Sequence, residues 1–122
     1  MVRQCLIVDD NEWFLEIAHT SLERQGMEVV GTARTIAEAV QKVAVLRPGI
    51  ILVDIALGRE SGFELTRRLV DEFPDLGARV VLISTRGEED FADLIADSPA
   101  VGFLSKSLLS AQAVEALVGA GE

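Results

Sequence analysis

The sequence predicts an α/β fold: a five-stranded parallel sheet, doubly wound as (βα)5, with helices on both faces in a three-layer sandwich. Three observations lead there. Five short apolar runs alternate with five segments of helical periodicity. The runs are uniformly apolar rather than alternating, as in strands buried on both faces of a parallel sheet. Four of them end in polar residues suited to chemistry, at the sheet edge where open α/β sheets bind ligands.

The first run, Arg3 to Val8, ends in Asp9 and Asp10. Asp10-Asn11-Glu12 then starts a helix. Trp13, Ile17 and Leu22, with Phe14, Ala18 and Ser21, are expected to form its apolar stripe to about Arg24, with Trp13 partly buried near the site mouth, and Gly26 stops it. Glu28 to Gly31 is the second strand. Thr35 and Glu38 form a capping box for the second helix, in which Ile36, Ala39, Val40, Val43 and Leu46 recur at helical spacing up to Pro48-Gly49.

Ile50 to Val53 is the third strand and runs into Asp54. Gly58 to Gly62 reads as a charged loop, and Ser61 caps a helix from Phe63 to about Phe73, ended by Pro74 and Gly77. Arg79 to Ile83 is the fourth strand, leading to Ser84. A short helix with an acidic first turn covers Glu88 to about Ala96. Ala100 to Leu104 is the fifth strand and leads through Ser105 to Lys106. Ser110 opens a last helix through Leu117 or Val118, and 119–122 reads as a frayed end or the start of a linker.

At 122 residues the chain is expected to form one domain, residues 1–122, large enough to bury a core without disulfides or structural metal. A hydrophobic content of 49% with 25% charged residues marks a globular class. The net charge of −9, with Arg67-Arg68 as the only adjacent basic pair, argues against a nucleic-acid surface. No apolar stretch has the length of a membrane span. Cys5, the single cysteine, excludes an internal disulfide and reads as a buried, inert thiol, in keeping with a cytoplasmic setting. His19 has no second histidine or cysteine as a partner and reads as a surface or half-buried residue rather than a ligand.

With the strands in the order 2-1-3-4-5, Asp9, Asp10 and Asp54 meet at the switch point between strands one and three. Two carboxylates about 4 Å apart repel by on the order of 4 kcal/mol at an effective dielectric near 20. Such a group needs a cation, a lysine or raised pKa values. Mg2+, or Mn2+, suits an all-oxygen site that also admits a phosphate oxygen. Asp54 would be a carboxylate nucleophile toward an activated phosphoryl group, and Asp10, aided by Asp9, would hold the metal. Ser84 would hydrogen-bond the incoming phosphoryl group. Lys106, one of only two lysines beside nine arginines, would supply the second positive charge.

These residues, on matching strand ends and at typical separations, resemble the receiver domain of two-component response regulators over essentially the whole chain. The resemblance implies that Asp54 is the phosphoacceptor and that Asp9, Asp10, Asp54 and the backbone carbonyl of Ala56 form the metal site. It implies phosphate contacts from Ser84 and Lys106 and a switch made of Ser84 and Phe103. Ala56, Thr85 and Arg86 stand where that family tunes phosphoryl lifetime. Gly58, Thr85 and Ser107 depart from its common pattern, which has proline, a small residue and proline there.

The implied donor is a sensor histidine kinase or phosphotransfer protein. The implied partner is a downstream output domain or protein, reached through the face made by the fourth helix, fifth strand and fifth helix, which is also a candidate homodimer face. Beyond taking up the phosphoryl group and slowly losing it, such a domain is not expected to be an enzyme. A stand-alone phosphate sink is the alternative within this reading. A flavodoxin-like cofactor binder is disfavoured because Asp9-Asp10-Asn11-Glu12 would repel a bare phosphate. A phospho-aspartate hydrolase is disfavoured because Ala56 stands where such enzymes carry an acid-base carboxylate.

Overall fold

A computed structural model describes residues 3–74 and 79–120. The elements in chain order are β1 (Gln4–Val8), α1 (Glu12–Arg24), β2 (Glu28–Ala33), α2 (Ile36–Leu46), β3 (Ile50–Asp54), β4 (Ala56–Leu57), β5 (Glu60–Ser61), α3 (Gly62–Glu72), β6 (Arg79–Ser84), α4 (Ala92–Asp97), β7 (Gly102–Ser105) and α5 (Ala111–Ala120), with single 3₁₀ turns at Glu88–Asp90 and Lys106–Leu108. Five strands form one sheet in the order β2-β1-β3-β6-β7, all neighbours parallel. β6 and β7 are the fourth and fifth strands of the sequence reading, so the expected 2-1-3-4-5 order holds.

The uniformly apolar runs are explained by two cores, one on each face. Leu6, Val8, Ile51, Val53, Val80 and Leu82 face one core, shared with Ile36, Ala39 and Val43 of α2 and Phe63, Leu65 and Leu69 of α3. The alternating residues Cys5, Ile7, Ile50, Leu52, Val81 and Ile83 face the other, shared with Leu15, Ala18 and Leu22 of α1 and Ala111, Val114 and Val118 of α5. Each strand keeps its period of two, but both faces are dry, so no polar residue interrupts the run. Cys5 is fully buried, and burial pushes its thiol up to about 12, which fits the inert reading.

Several expectations need correction. The buried face of α1 is Leu15, Ala18 and Leu22, whereas Trp13 is 72% exposed and Ile17 56% exposed. Six apolar residues in this segment allow two helical stripes, and the sheet selects the one through Leu15. The predicted helix over Glu88 to Ala96 is broken at Phe91 (φ −131°, ψ 18°), where a 3₁₀ turn gives way to the six-residue α4. The Gly58–Gly62 loop is a two-strand hairpin, β4 pairing antiparallel with β5. β2 continues past Gly31 to Ala33, and α5 continues through Ala120. The expected helix stop at Gly77 and the terminal pair Gly121-Glu122 lie outside the described residues.

Two glycines are dictated by this geometry. Gly58, at the first central position of the hairpin turn, has φ +64°, a conformation closed to proline, so the departure from the resembled pattern at this position is enforced by the turn. Gly62 opens α3 against the main chain of β3: a Cβ there would lie 2.1 Å from the Asp54 carbonyl oxygen and 2.9 Å from Ile55 Cα. Both contacts are backbone and cannot swing aside. Gly62→Ala should therefore cost about 1–3 kcal/mol, read as a lower urea midpoint. Gly119→Ala in α5, where a Cβ meets nothing within 4 Å, should instead stabilise by up to about 1 kcal/mol.

Candidate functional site

Register brings the acidic residues together. Val8 pairs with Val53 and Asp54 with Ile83, so Asp9 and Asp54 emerge side by side as β1 and β3 end, and Ser84 closes β6 one residue beyond the partner of Asp54. Asp9 is anchored at the backbone by its N–H to the Ala33 carbonyl (2.9 Å), and its Oδ1 accepts the Asn11 N–H (2.9 Å). Asn11 caps α1 by accepting from the Trp13 and Phe14 N–H groups, which turns the chain away just after Asp10. Asp54 Oδ1 accepts the Ala56 N–H at 3.2 Å.

Carboxylate oxygens of Asp9, Asp10 and Asp54 all lie within 4.8 Å of one another. Asp9 and Asp54 are buried and Asp10 is exposed, so the cluster opens to solvent on the Asp10 side. There a cleft of about 630 Å³ is lined by Asn11, Glu12, Trp13, Thr32, Arg34 and other residues of the α1 and α2 ends. Lys106, just past β7, reaches back with its Nζ 2.5 Å from Asp9 Oδ2 and 3.2 Å from Asp54 Oδ2. Only 12% of its side chain is exposed. Despite that close ion pair, Asp9 Oδ2 receives no well-directed hydrogen bond.

The electrostatics follow from this packing. Burial and the neighbouring Asp9 charge push the Asp54 carboxyl up to about 6, against the opposing pull of Lys106 and the Ala56 N–H. Burial also works against the charge of Lys106. Its close contact with Asp9 and its attraction to Asp54 and Asp9 outweigh that, and its pKa is raised.

The donor set is three carboxylates with no nitrogen or sulfur ligand among them. One buried carboxylate oxygen lacks a directed partner, and one side is open to solvent. Hard divalent cations with oxygen ligands, Mg2+ or Mn2+, fit such a set.

The other predicted residues are placed more loosely. Ser84 is buried at the end of β6, with its Oγ accepting the Arg86 N–H at 3.0 Å. Phe103 on β7 is half-buried and packs against the core shared by α2 and α3. Thr85 and Ala56 are exposed beside the site. Arg86 instead reaches toward α4, 3.6 Å from Asp90 and 5.8 Å from the Phe91 ring.

The sequence reading passed over four framing residues. Gly62 packs on the Asp54 carbonyl, and Phe14 lies beneath the Lys106 ammonium at 4.3 Å. Glu60 of the hairpin accepts the Ile36 N–H at the start of α2 (2.9 Å). Arg34 bridges the Asp10 carbonyl (3.3 Å) and Glu12 (3.0 Å). A glycine eight residues past Asp54 was a visible signal; the other three have no pattern of their own.

The response regulator receiver domain family matches residues 5–118. The response regulator GacA of Pseudomonas viridiflava is 31% identical over 124 residues, an alignment covering 96% of this chain and 55% of that protein. The chain thus spans about half the length of the curated relatives it matches. Among solved structures, a LuxR-family two-component response regulator from Aurantimonas sp. SI85-9A1 superposes with a TM-score of 0.86 at 26% identity, covering 98% of this chain and 87% of that one. A response regulator from Burkholderia pseudomallei, solved with a phosphorylated aspartic acid, calcium ion and citrate, gives a TM-score of 0.80 at 28% identity, covering 95% and 66%.

Asp54 binds its proton more tightly folded, near 6, than at its ordinary 3.8. The native state therefore holds the extra proton between those values, and stability from this group falls as pH rises through that window. At pH 7 the ionised carboxylate is a net cost. Asp54→Asn should raise the stability of the metal-free protein at pH 7 by on the order of 1–3 kcal/mol, and the gain should vanish below pH about 4, as read by urea unfolding at both pH values.

Proposed function

The chain belongs to the response regulator receiver domain family, and from that premise we propose that Asp54 is its phosphoacceptor in a two-component signalling system. The observation that carries this reading is the contact of one ammonium, that of Lys106, with both Asp9 and Asp54 inside a cluster of three carboxylates. Asp54 is the member of that cluster on the central strand β3, with a raised carboxyl pKa and a solvent-open side beside it.

Asp9, Asp10 and Asp54, with the Ala56 carbonyl, would hold Mg2+ or Mn2+. When bound, the metal supplies positive charge that offsets the phosphoryl oxygens and the carboxylates. The Asp54 oxygen attacks phosphorus as the bond to the donor breaks. With phosphohistidine of a kinase or phosphotransfer protein as donor, the P–N electron pair returns to the imidazole nitrogen. Lys106 then exchanges part of its contact with Asp54 for a phosphoryl oxygen, and Ser84 donates its hydroxyl to another. Ala56 and Thr85, both exposed at the rim, bear on the path of the water that later removes the group.

Movement of Ser84 and Phe103 would reshape the face made by α4, β7 and α5, through which an output domain, a partner protein or a second copy binds. α4 has no fully buried residue, and its Leu94 is 49% exposed. Within that face α4 and β7 are thus the loosely held part, while α5 is anchored by Val114 and Val118 in the core. A phosphate sink uses the same chemistry without the reshaped face.

With Mg2+ and a small phosphodonor, the protein should gain acid-labile phosphate on Asp54, seen as an added phosphoryl mass lost on treatment with base or hydroxylamine. Labelling that persists unchanged in Asp54→Asn would refute the assignment. Chelation of the divalent cation should reduce labelling at least about tenfold.

A further inference from the structure

We propose that Phe14 is a positioning residue for Lys106: its ring face holds the ammonium against Asp9 and Asp54. The Lys106 Nζ sits 4.3 Å from the Phe14 ring centroid, 2.5 Å from Asp9 Oδ2 and 3.2 Å from Asp54 Oδ2. An ammonium has three N–H groups and no acceptor. Two carboxylate oxygens take two of its sides, and the aromatic face takes another. The ring's negative quadrupole attracts the cation there, and it does so more strongly where water is scarce. At 12% exposure, the Lys106 side chain has little water to compete.

Phe14 is held firmly enough to do this. Its backbone N–H donates to the Asn11 cap at 3.2 Å, in the first turn of α1, and its half-buried ring packs against the core shared by α1 and α5. Lys106, by contrast, enters from a 3₁₀ turn whose other residues are exposed, Leu108 to 68%. A long flexible side chain from that turn has many rotamers that reach solvent, and confining it costs up to about 2 kcal/mol. The ring and the two carboxylates together select the one that points inward.

Removing the π face while keeping apolar bulk should free the ammonium to leave the pocket. The consequences run in opposite directions. A divalent cation meets less competing positive charge and binds more tightly. An incoming phosphoryl group finds the lysine out of place and is taken up more slowly. A purely structural defect would weaken both.

The test compares Phe14→Leu with Phe14→Tyr, which keeps the ring face. Lys42 and Lys106 are the only lysines, so acetylation of Lys106 relative to Lys42, followed by mass spectrometry, reports how well the amine is sequestered. In metal-free protein with no phosphodonor, Phe14→Leu should raise that ratio about threefold or more, and Phe14→Tyr should leave it near the wild-type value. Calorimetric titration with Mg2+ alone should show tighter binding to Phe14→Leu and unchanged binding to Phe14→Tyr.

An unchanged acetylation ratio in a folded Phe14→Leu protein, checked by circular dichroism, overturns the proposal. So does weaker Mg2+ binding. The acetylation arm needs neither metal nor phosphoryl group, so its outcome is independent of whether Asp54 is the phosphoacceptor.

Discussion

Repulsion among Asp9, Asp10 and Asp54 is the constraint around which this molecule is arranged. Their oxygens lie within 4.8 Å of one another, and two of the three residues are buried. Such a group is costly, at several kcal/mol per close pair in a partly desolvated site. The chain cannot relieve it by sliding its strands. Because β1, β3 and β6 bury both faces, a slip of one residue would exchange every side chain between the two cores. The register that packs Val8 beside Val53 also places Asp9 beside Asp54. Hydrophobic burial fixes the positions, and the charges must be accommodated within them.

Accommodation comes from outside the two acidic strands. Lys106 is brought in from the far edge of the sheet by β7 and contacts the two buried carboxylates. The Ala56 N–H supports one Asp54 oxygen, and the Asn11 N–H supports one of Asp9. These partners offset the repulsion only in part, since Asp54 still holds its proton up to about 6. What is left over is an attraction for a small cation and for an electrophile that would consume the Asp54 charge. On the proposed reading, the pocket would be reactive because its charges are incompletely balanced by a scaffold that will not move.

The strand ends were legible in the sequence because a parallel strand buried on both faces leaves a distinctive trace: an unbroken apolar run with an abrupt polar end. Asp9, Asp54, Ser84 and Lys106 all stand at such ends, so sequence order alone grouped them. The helices were less legible, since their faces are chosen by the sheet. In α1 the 3.6-residue period fits a stripe through Trp13 and Ile17 as well as one through Leu15, Ala18 and Leu22. The Phe91 break before α4 has no proline or glycine to announce it. Gly62, Phe14 and Glu60 act through contacts between segments far apart in the chain, and no local pattern encodes those.

Burial falls from the central strands toward both edges, β2 and β7, and the β7 edge is the less covered of the two. β3 is buried throughout, and β1 and β6 nearly so. β2 keeps Val29 and Ala33 buried between α1 and α2, whereas every residue of β7 is only half-buried and α4 contributes nothing fully buried. Segments with few buried apolar contacts are those that rearrange at least cost. Lys106 and Ser84 stand where the rigid half meets this looser one, Ser84 closing β6 and Lys106 following β7. A phosphoryl group on Asp54 would draw on both residues at once. The rigid half cannot yield without breaking two cores, so the displacement must be taken up on the β7 and α4 side. The same burial gradient that holds the acidic residues together also determines which surface would carry a signal away from them.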